Sequence, residues 1–89
     1  MERAVTILNK LGLHARPAAE FVKAARNFKS RIVVRRGEDC FSAASILEIL
    51  GACLEEGCDF VIVAEGPDAE EALDRLASLL YEFKLQEDP

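Results

Sequence analysis

Residues 31–42 read RIVVRRGEDCFS. From Arg31 to Arg36, Ile32 and Val34 can point to one side and Arg31, Val33 and Arg35 to the other. That is the period of a half-buried strand. The turn residues GED follow, and CFS (Cys40 to Ser42) is short enough to be a return strand, so the segment predicts a β-hairpin. Its inward side is apolar and its outward side carries arginines. The sheet it belongs to should therefore have one covered face and one open face.

Upstream, AVTIL (Ala4 to Leu8) has the β-branched alternation of another strand, and NKLG breaks it. From Ala15 to Asn27 the apolar residues Ala18, Phe21, Val22 and Ala25 fall at i, i+3, i+4 and i+7, the stripe of a helix buried on one side. Arg16, Glu20, Lys23 and Asn27 fall opposite. Downstream, SILEILGACL predicts a short helix. Ser45 with Glu48 is a capping-box pair at its start, and Gly51 marks its fraying end. CDFVIVAE (Cys58 to Glu65) is a strand after a turn at Gly57, with Phe60 and Ile62 on one face. GPDAEEALDRLASLLYEF is the clearest helix. Asp68 and Glu71 form a second capping pair, and Ala69, Ala72, Leu73, Leu76, Leu80 and Phe83 make a continuous stripe. KLQEDP, residues 84–89, reads as a frayed tail. The order β-α-β-β-α-β-α, with one apolar stripe per helix, predicts an α+β domain whose helices cover one sheet face.

The chain has 89 residues, 51% hydrophobic and 30% charged, with net charge −5. That is one domain, residues 1–89, of ordinary globular composition. No apolar run reaches the ~20 residues that span a bilayer, and no signal-peptide pattern opens the chain. A cytoplasmic protein without membrane insertion is expected. The negative charge argues against nucleic acid. Its uneven spread, with FVKAARNFK and RIVVRR basic and the C-terminal half acidic, suits charged protein partners. Cys40, Cys53 and Cys58 have no CxxC spacing, so neither a disulfide framework nor a metal site is expected. They read as small, mostly buried hydrophobes.

GLHARPAAEFV, residues 12–22, carries the chemistry. His14 is the single histidine and falls just before the first helical residue. Pro17 lies in the first turn, where its missing N–H is not needed. The imidazole thus sits above free backbone amides and the positive end of the helix dipole. An anion attached to it would find donors in place, and the same field favours the neutral, nucleophilic ring. Arg16 adds a planar cation suited to phosphoryl oxygens. Gly12 lets a loop approach closely. There is no second histidine, no P-loop and no evident magnesium-carboxylate cluster. Such a site could receive and hand on a phosphoryl group, but could not bind a nucleotide by itself. A histidine that merely caps a helix, with Arg16 as a solvated charge, fits the same residues, and the residues alone leave both readings open.

The chain resembles the HPr family, the histidine-containing phosphocarriers of the bacterial phosphoenolpyruvate:sugar phosphotransferase system. GLHARPAAEFV matches that family's active-site signature. SIL after the hairpin, glycine before the last strand, and AEGPDAEEAL leading into the final helix extend the resemblance over nearly the whole chain. The resemblance implies an open-faced β-sandwich: a four-stranded antiparallel sheet, order 1-4-2-3, covered on one face by three helices. It implies that His14 is phosphorylated on Nδ1 by phosphorylated enzyme I and passes the group to a histidine of an enzyme IIA domain. Arg16 would stabilise the phosphoryl group, and Pro17 would shape the first turn. Ser45 matches a regulatory serine, phosphorylated in some bacteria by HPr kinase/phosphorylase. Ile46, Leu47 and Leu50 match a partner-docking patch, with Lys23 as a rim charge. The protein so implied is a monomeric carrier, not an enzyme, and needs no cofactor or metal. Two positions depart from the family: Glu48 stands where many members have a small or basic residue, and Ala44 where many have lysine. The competing expectations are an HPr-like regulator acting through partner binding and a small ferredoxin-like ligand-binding regulatory domain.

Overall fold

The computed structural model describes residues 1–87. Its elements are β1 (Glu2–Thr6), α1 (Ala15–Arg26), β2 (Arg31–Arg36), β3 (Asp39–Ser42), α2 (Ile46–Gly51), β4 (Asp59–Glu65) and α3 (Ala69–Glu87). The strands form one sheet in the order β1-β4-β2-β3, with every neighbouring pair antiparallel. The architecture is the α+β open-faced sandwich that the resemblance implied.

The register explains the two faces. Ile32, Val34, Phe60, Ile62 and Ala64 are buried, and they meet the stripes of α1 (Ala18, Phe21, Val22, Ala25) and α3 (Ala72, Leu73, Leu76, Leu80, Phe83) in one core. The opposite parity carries Arg31, Val33 and Arg35 with their in-register neighbours Val61, Val63 and Cys40. Among the described residues no helix covers this face. A Glu2–Arg35 ion pair of 3.0 Å spans it, and the guanidinium holds the Glu2 carboxyl below the usual carboxylate range.

Four local expectations need correction. β1 lies two residues earlier than AVTIL. Its start is fastened by the terminal ammonium of Met1, which donates to the Ala64 carbonyl at 2.8 Å. Past Thr6 the ladder gives way to the turn at Gly57–Cys58, which still holds the Ile7 backbone on both sides. Ile7 therefore stays buried while Leu8 turns to solvent. Second, α3 does not stop at Phe83. Residues 84–87 of the expected tail are helical, and residues 88–89 lie outside the described part.

Third, Asp68 does not close a box with Glu71. Its carboxylate crosses to the α1–β2 connection and accepts from the Lys29 amide (2.8 Å), the Ser30 amide (2.9 Å) and the Ser30 hydroxyl (2.5 Å). Those bonds, the Ser30 hydroxyl foremost, hold the carboxyl below its usual range. Fourth, the cysteines are not core residues: Cys40 and Cys53 are exposed and Cys58 is half-buried. Cys40 lies on the edge strand opposite Arg35, and Cys53 occupies a turn at φ +52°.

Candidate functional site

α1 begins where the sequence predicts. His14 is its N-cap, with extended backbone (φ −80°, ψ −170°), and its side chain makes no capping hydrogen bond. The His14 carbonyl takes the Ala18 amide at 2.8 Å, and Pro17 has no amide to offer. The amides of Ala15 and Arg16 are thus left without an intrahelical acceptor. The imidazole and the Arg16 side chain are both exposed at this end of the helix. The ring is not spent on the helix, so capping does not account for a histidine here.

The loop before His14 is fixed from several directions. The Asn9 side-chain amide donates to the Gly12 carbonyl (2.8 Å), and the Gly12 amide returns a bond to the Asn9 carbonyl (3.2 Å). Asn9 is buried at 2% exposure while Lys10 and Leu11 are exposed, so the turn is anchored in the interior through its first residue. The Leu13 amide donates to the Leu54 carbonyl at 2.8 Å. Gly12 has φ +63°, and a Cβ there would lie 2.3 Å from the Leu54 oxygen and 2.8 Å from the Glu55 Cα. The close approach expected at Gly12 is therefore to the segment that follows α2. His14, Arg16, Pro17, Leu11, Glu20 and Glu87 line a shallow, open depression of about 210 Å³. It is too open to hold a small substrate away from water, and it presents the imidazole outward.

Ser45 is the N-cap of α2 and accepts the Glu48 amide at 3.3 Å. The box is only half closed, because the Glu48 carboxylate accepts from the Ser42 amide (3.0 Å). Two arginines brace this helix. Arg26, at the end of α1, donates through Nε to the Ala44 carbonyl at 2.8 Å. Arg36 donates through Nη1 to the carbonyls of Ala52 (2.6 Å) and Cys53 (3.2 Å), beyond the other end. Leu47 and Leu50 project outward, 79% and 40% exposed, while Ile46 packs partly against the core. Lys23 is exposed on α1. The connection after α2 carries Leu54, whose carbonyl takes the Leu13 amide, so the His14 loop is tied through the backbone to the segment that follows this helix.

Sequence reasoning did not single out Asn9, Leu54, Arg26, Arg36 or Glu87. The Asn9–Gly12 spacing was a legible turn signal; the others act across distances that leave no local mark. Among the described residues no group of three or more His, Cys, Asp or Glu side chains could hold a metal ion. No helix there is long and apolar enough to cross a membrane.

A family model described as the PTS HPr component phosphorylation site matches residues 1–82. The chain is 41% identical over 80 residues to the phosphocarrier protein HPr of Lysinibacillus sphaericus, covering 90% of this chain and 91% of that one. It is 33% identical over 82 residues to the HPr-like protein Crh of Bacillus subtilis, covering 92% and 96%. The fold matches the crystal structure of HPr-C-His from Thermoanaerobacter tengcongensis with a TM-score of 0.92 at 40% identity, covering 100% and 99% of the two chains. These likenesses run the length of the domain and displace the ferredoxin-like alternative. The sheet ordered β1-β4-β2-β3 with its three helices is thus shared architecture, and the chain belongs to the HPr family of the phosphotransferase system.

Proposed function

We propose that this protein is a phosphocarrier that accepts a phosphoryl group on His14 from phosphorylated enzyme I and passes it to an enzyme IIA domain. One observation carries the reading: the single histidine is exposed at a helix N-terminus, and among the described residues its ring makes no capping hydrogen bond. In the accepting step Nδ1 of the neutral imidazole attacks phosphorus. A bond from His14 to phosphorus forms as the bond to the donor's histidine breaks, and the return step reverses this onto the acceptor's histidine. The Ala15 and Arg16 amides and the Arg16 guanidinium are the donors available to the transferring oxygens. Nothing in the chain itself needs to bind a nucleotide or metal for this step.

The shallow depression supports exchange between two protein partners, since each must bring its own histidine to the same ring. Docking would use the outer face of α1, with Lys23 at the rim, and the Ile46, Leu47 and Leu50 patch. The carrier would act as a cytoplasmic monomer. Likeness to the HPr-like protein Crh favours a second reading, a regulator acting through partner binding. In that reading Ser45 would take a phosphate beside the docking patch; retention of His14 weighs against a regulator without histidine transfer.

The test is incubation with enzyme I and phosphoenolpyruvate, followed by mass measurement and acid treatment. The wild-type chain should gain one acid-labile phosphoryl group, and His14→Ala should fold normally and gain none. Acid-labile label on His14→Ala would sink the assignment.

A further inference from the structure

The last described turn of α3 reaches back to the loop in front of His14. The Glu87 carboxylate accepts the Lys10 amide through Oε1 at 2.7 Å and the Leu11 amide through Oε2 at 3.2 Å. Lys10 and Leu11 are the two middle residues of the turn that Asn9 and Gly12 close. Glu87 also shares with His14 the rim of one depression. With Leu13 bonded to Leu54, every amide from Lys10 to Leu13 has a named acceptor, and Glu87 supplies two of the four. On this basis we propose that Glu87 is a positioning residue for phosphoryl transfer: it clamps the Asn9–Gly12 turn and thereby fixes where the His14 imidazole stands relative to the helix end.

The proposal rests on His14 being the phosphoryl acceptor. A purely structural role fits less well, because Lys10 and Leu11 are exposed and their amides would find water if the carboxylate left. Losing the clamp should cost little global stability, yet it would widen the positions open to the ring. Transfer is sensitive to that, because small misplacements of reacting atoms slow a reaction steeply. A purely electrostatic role is the other contender, since a carboxylate near a phosphoryl group repels it. The two roles predict opposite signs.

The experiment uses the full chain with Glu87→Ala and Glu87→Gln, enzyme I and phosphoenolpyruvate. For Glu87→Ala, amide hydrogen exchange at Lys10 and Leu11 should quicken about tenfold or more, with Tm within a few degrees of wild type. The transfer rate at saturating enzyme I should fall about three- to tenfold, with the half-saturating concentration unchanged. Glu87→Gln should recover most of the rate, since its carboxamide oxygen still accepts a bond. An unchanged rate in Glu87→Ala, or a faster rate in both variants, overturns the proposal while leaving the phosphocarrier reading intact. Absence of label on the wild-type chain overturns both.

Discussion

Gly12→Ala is expected to cost about 3–6 kcal/mol of folding stability, and its parts can be separated. The backbone at φ +63° charges any residue with a Cβ about 1–2 kcal/mol. The new Cβ would also stand 2.3 Å from the Leu54 oxygen and 2.8 Å from the Glu55 Cα, inside any tolerated contact. Overpacking of this kind costs about 1–3 kcal/mol, and moving Leu54 away weakens the Leu13–Leu54 hydrogen bond, worth about 1 kcal/mol. Gly37 provides the control, for it has nearly the same φ, +62°, with nothing within 4 Å of a built Cβ. Gly37→Ala should therefore show the strain alone, about 1–2 kcal/mol. Urea unfolding at neutral pH measures both, with m unchanged if the denatured state is unaffected. In a domain of this size the Gly12 variant should melt about 15–30 °C lower. If the two variants lie within about 0.5 kcal/mol of each other, the Leu54–Glu55 segment yields freely, and the rigidity argued for the His14 loop is wrong.

Arg16→Ala should slow phosphoryl transfer about 10- to 100-fold, the equivalent of one charge-assisted contact of about 1.5–3 kcal/mol. Its melting temperature should barely move, since the side chain is exposed; unchanged stopped-flow rates in both directions would remove Arg16 from the site. Asp68 should make stability depend on pH. Its carboxyl is held low chiefly by the Ser30 hydroxyl, so its contribution is full above the unfolded carboxylate pKa and is lost as pH falls through the depressed folded value. Melting curves of wild type and Asp68→Asn should converge on acidification, and parallel curves would mean that the ionised form is not favoured by folding.

The parts of this fold that repeat along the chain were legible in the sequence. The period-2 run of β2 and the i, i+3, i+4, i+7 stripe of α1 each specify a buried side without outside help. His14 and Pro17 could be placed at a helix start because cap and first-turn chemistry are local. Long-range contacts were not legible. Asp68 and Glu71 have capping-box spacing, but Ser30 and Lys29, 38 and 39 residues away, compete for the Asp68 carboxylate and win it. Lys84 to Glu87 lack an apolar stripe and so read as fraying, whereas a carboxylate bound 77 residues upstream ties down that last turn. The cysteines failed for a related reason: exposure of Cys40 follows from β3 being the sheet edge, which only the pairing decides.

The strand order also sets a timetable. β1 has one neighbour, β4, and Thr6 pairs with a residue 53 positions later. While a chain is being made, α1 and the β2–β3 hairpin can close on themselves, because their contacts are near in sequence. β1 has nothing to pair with until residues 59–65 exist. The seat of Gly12 on Leu54 and the clamp from Glu87 come from the second half of the chain as well. His14 is therefore synthesised early and oriented late, by loop closures whose entropic cost falls on the final steps of folding. If His14 is the phosphoryl acceptor as proposed, a truncated or half-folded chain would display the histidine without the loop contacts that orient it, and competence at His14 would report that the chain has closed.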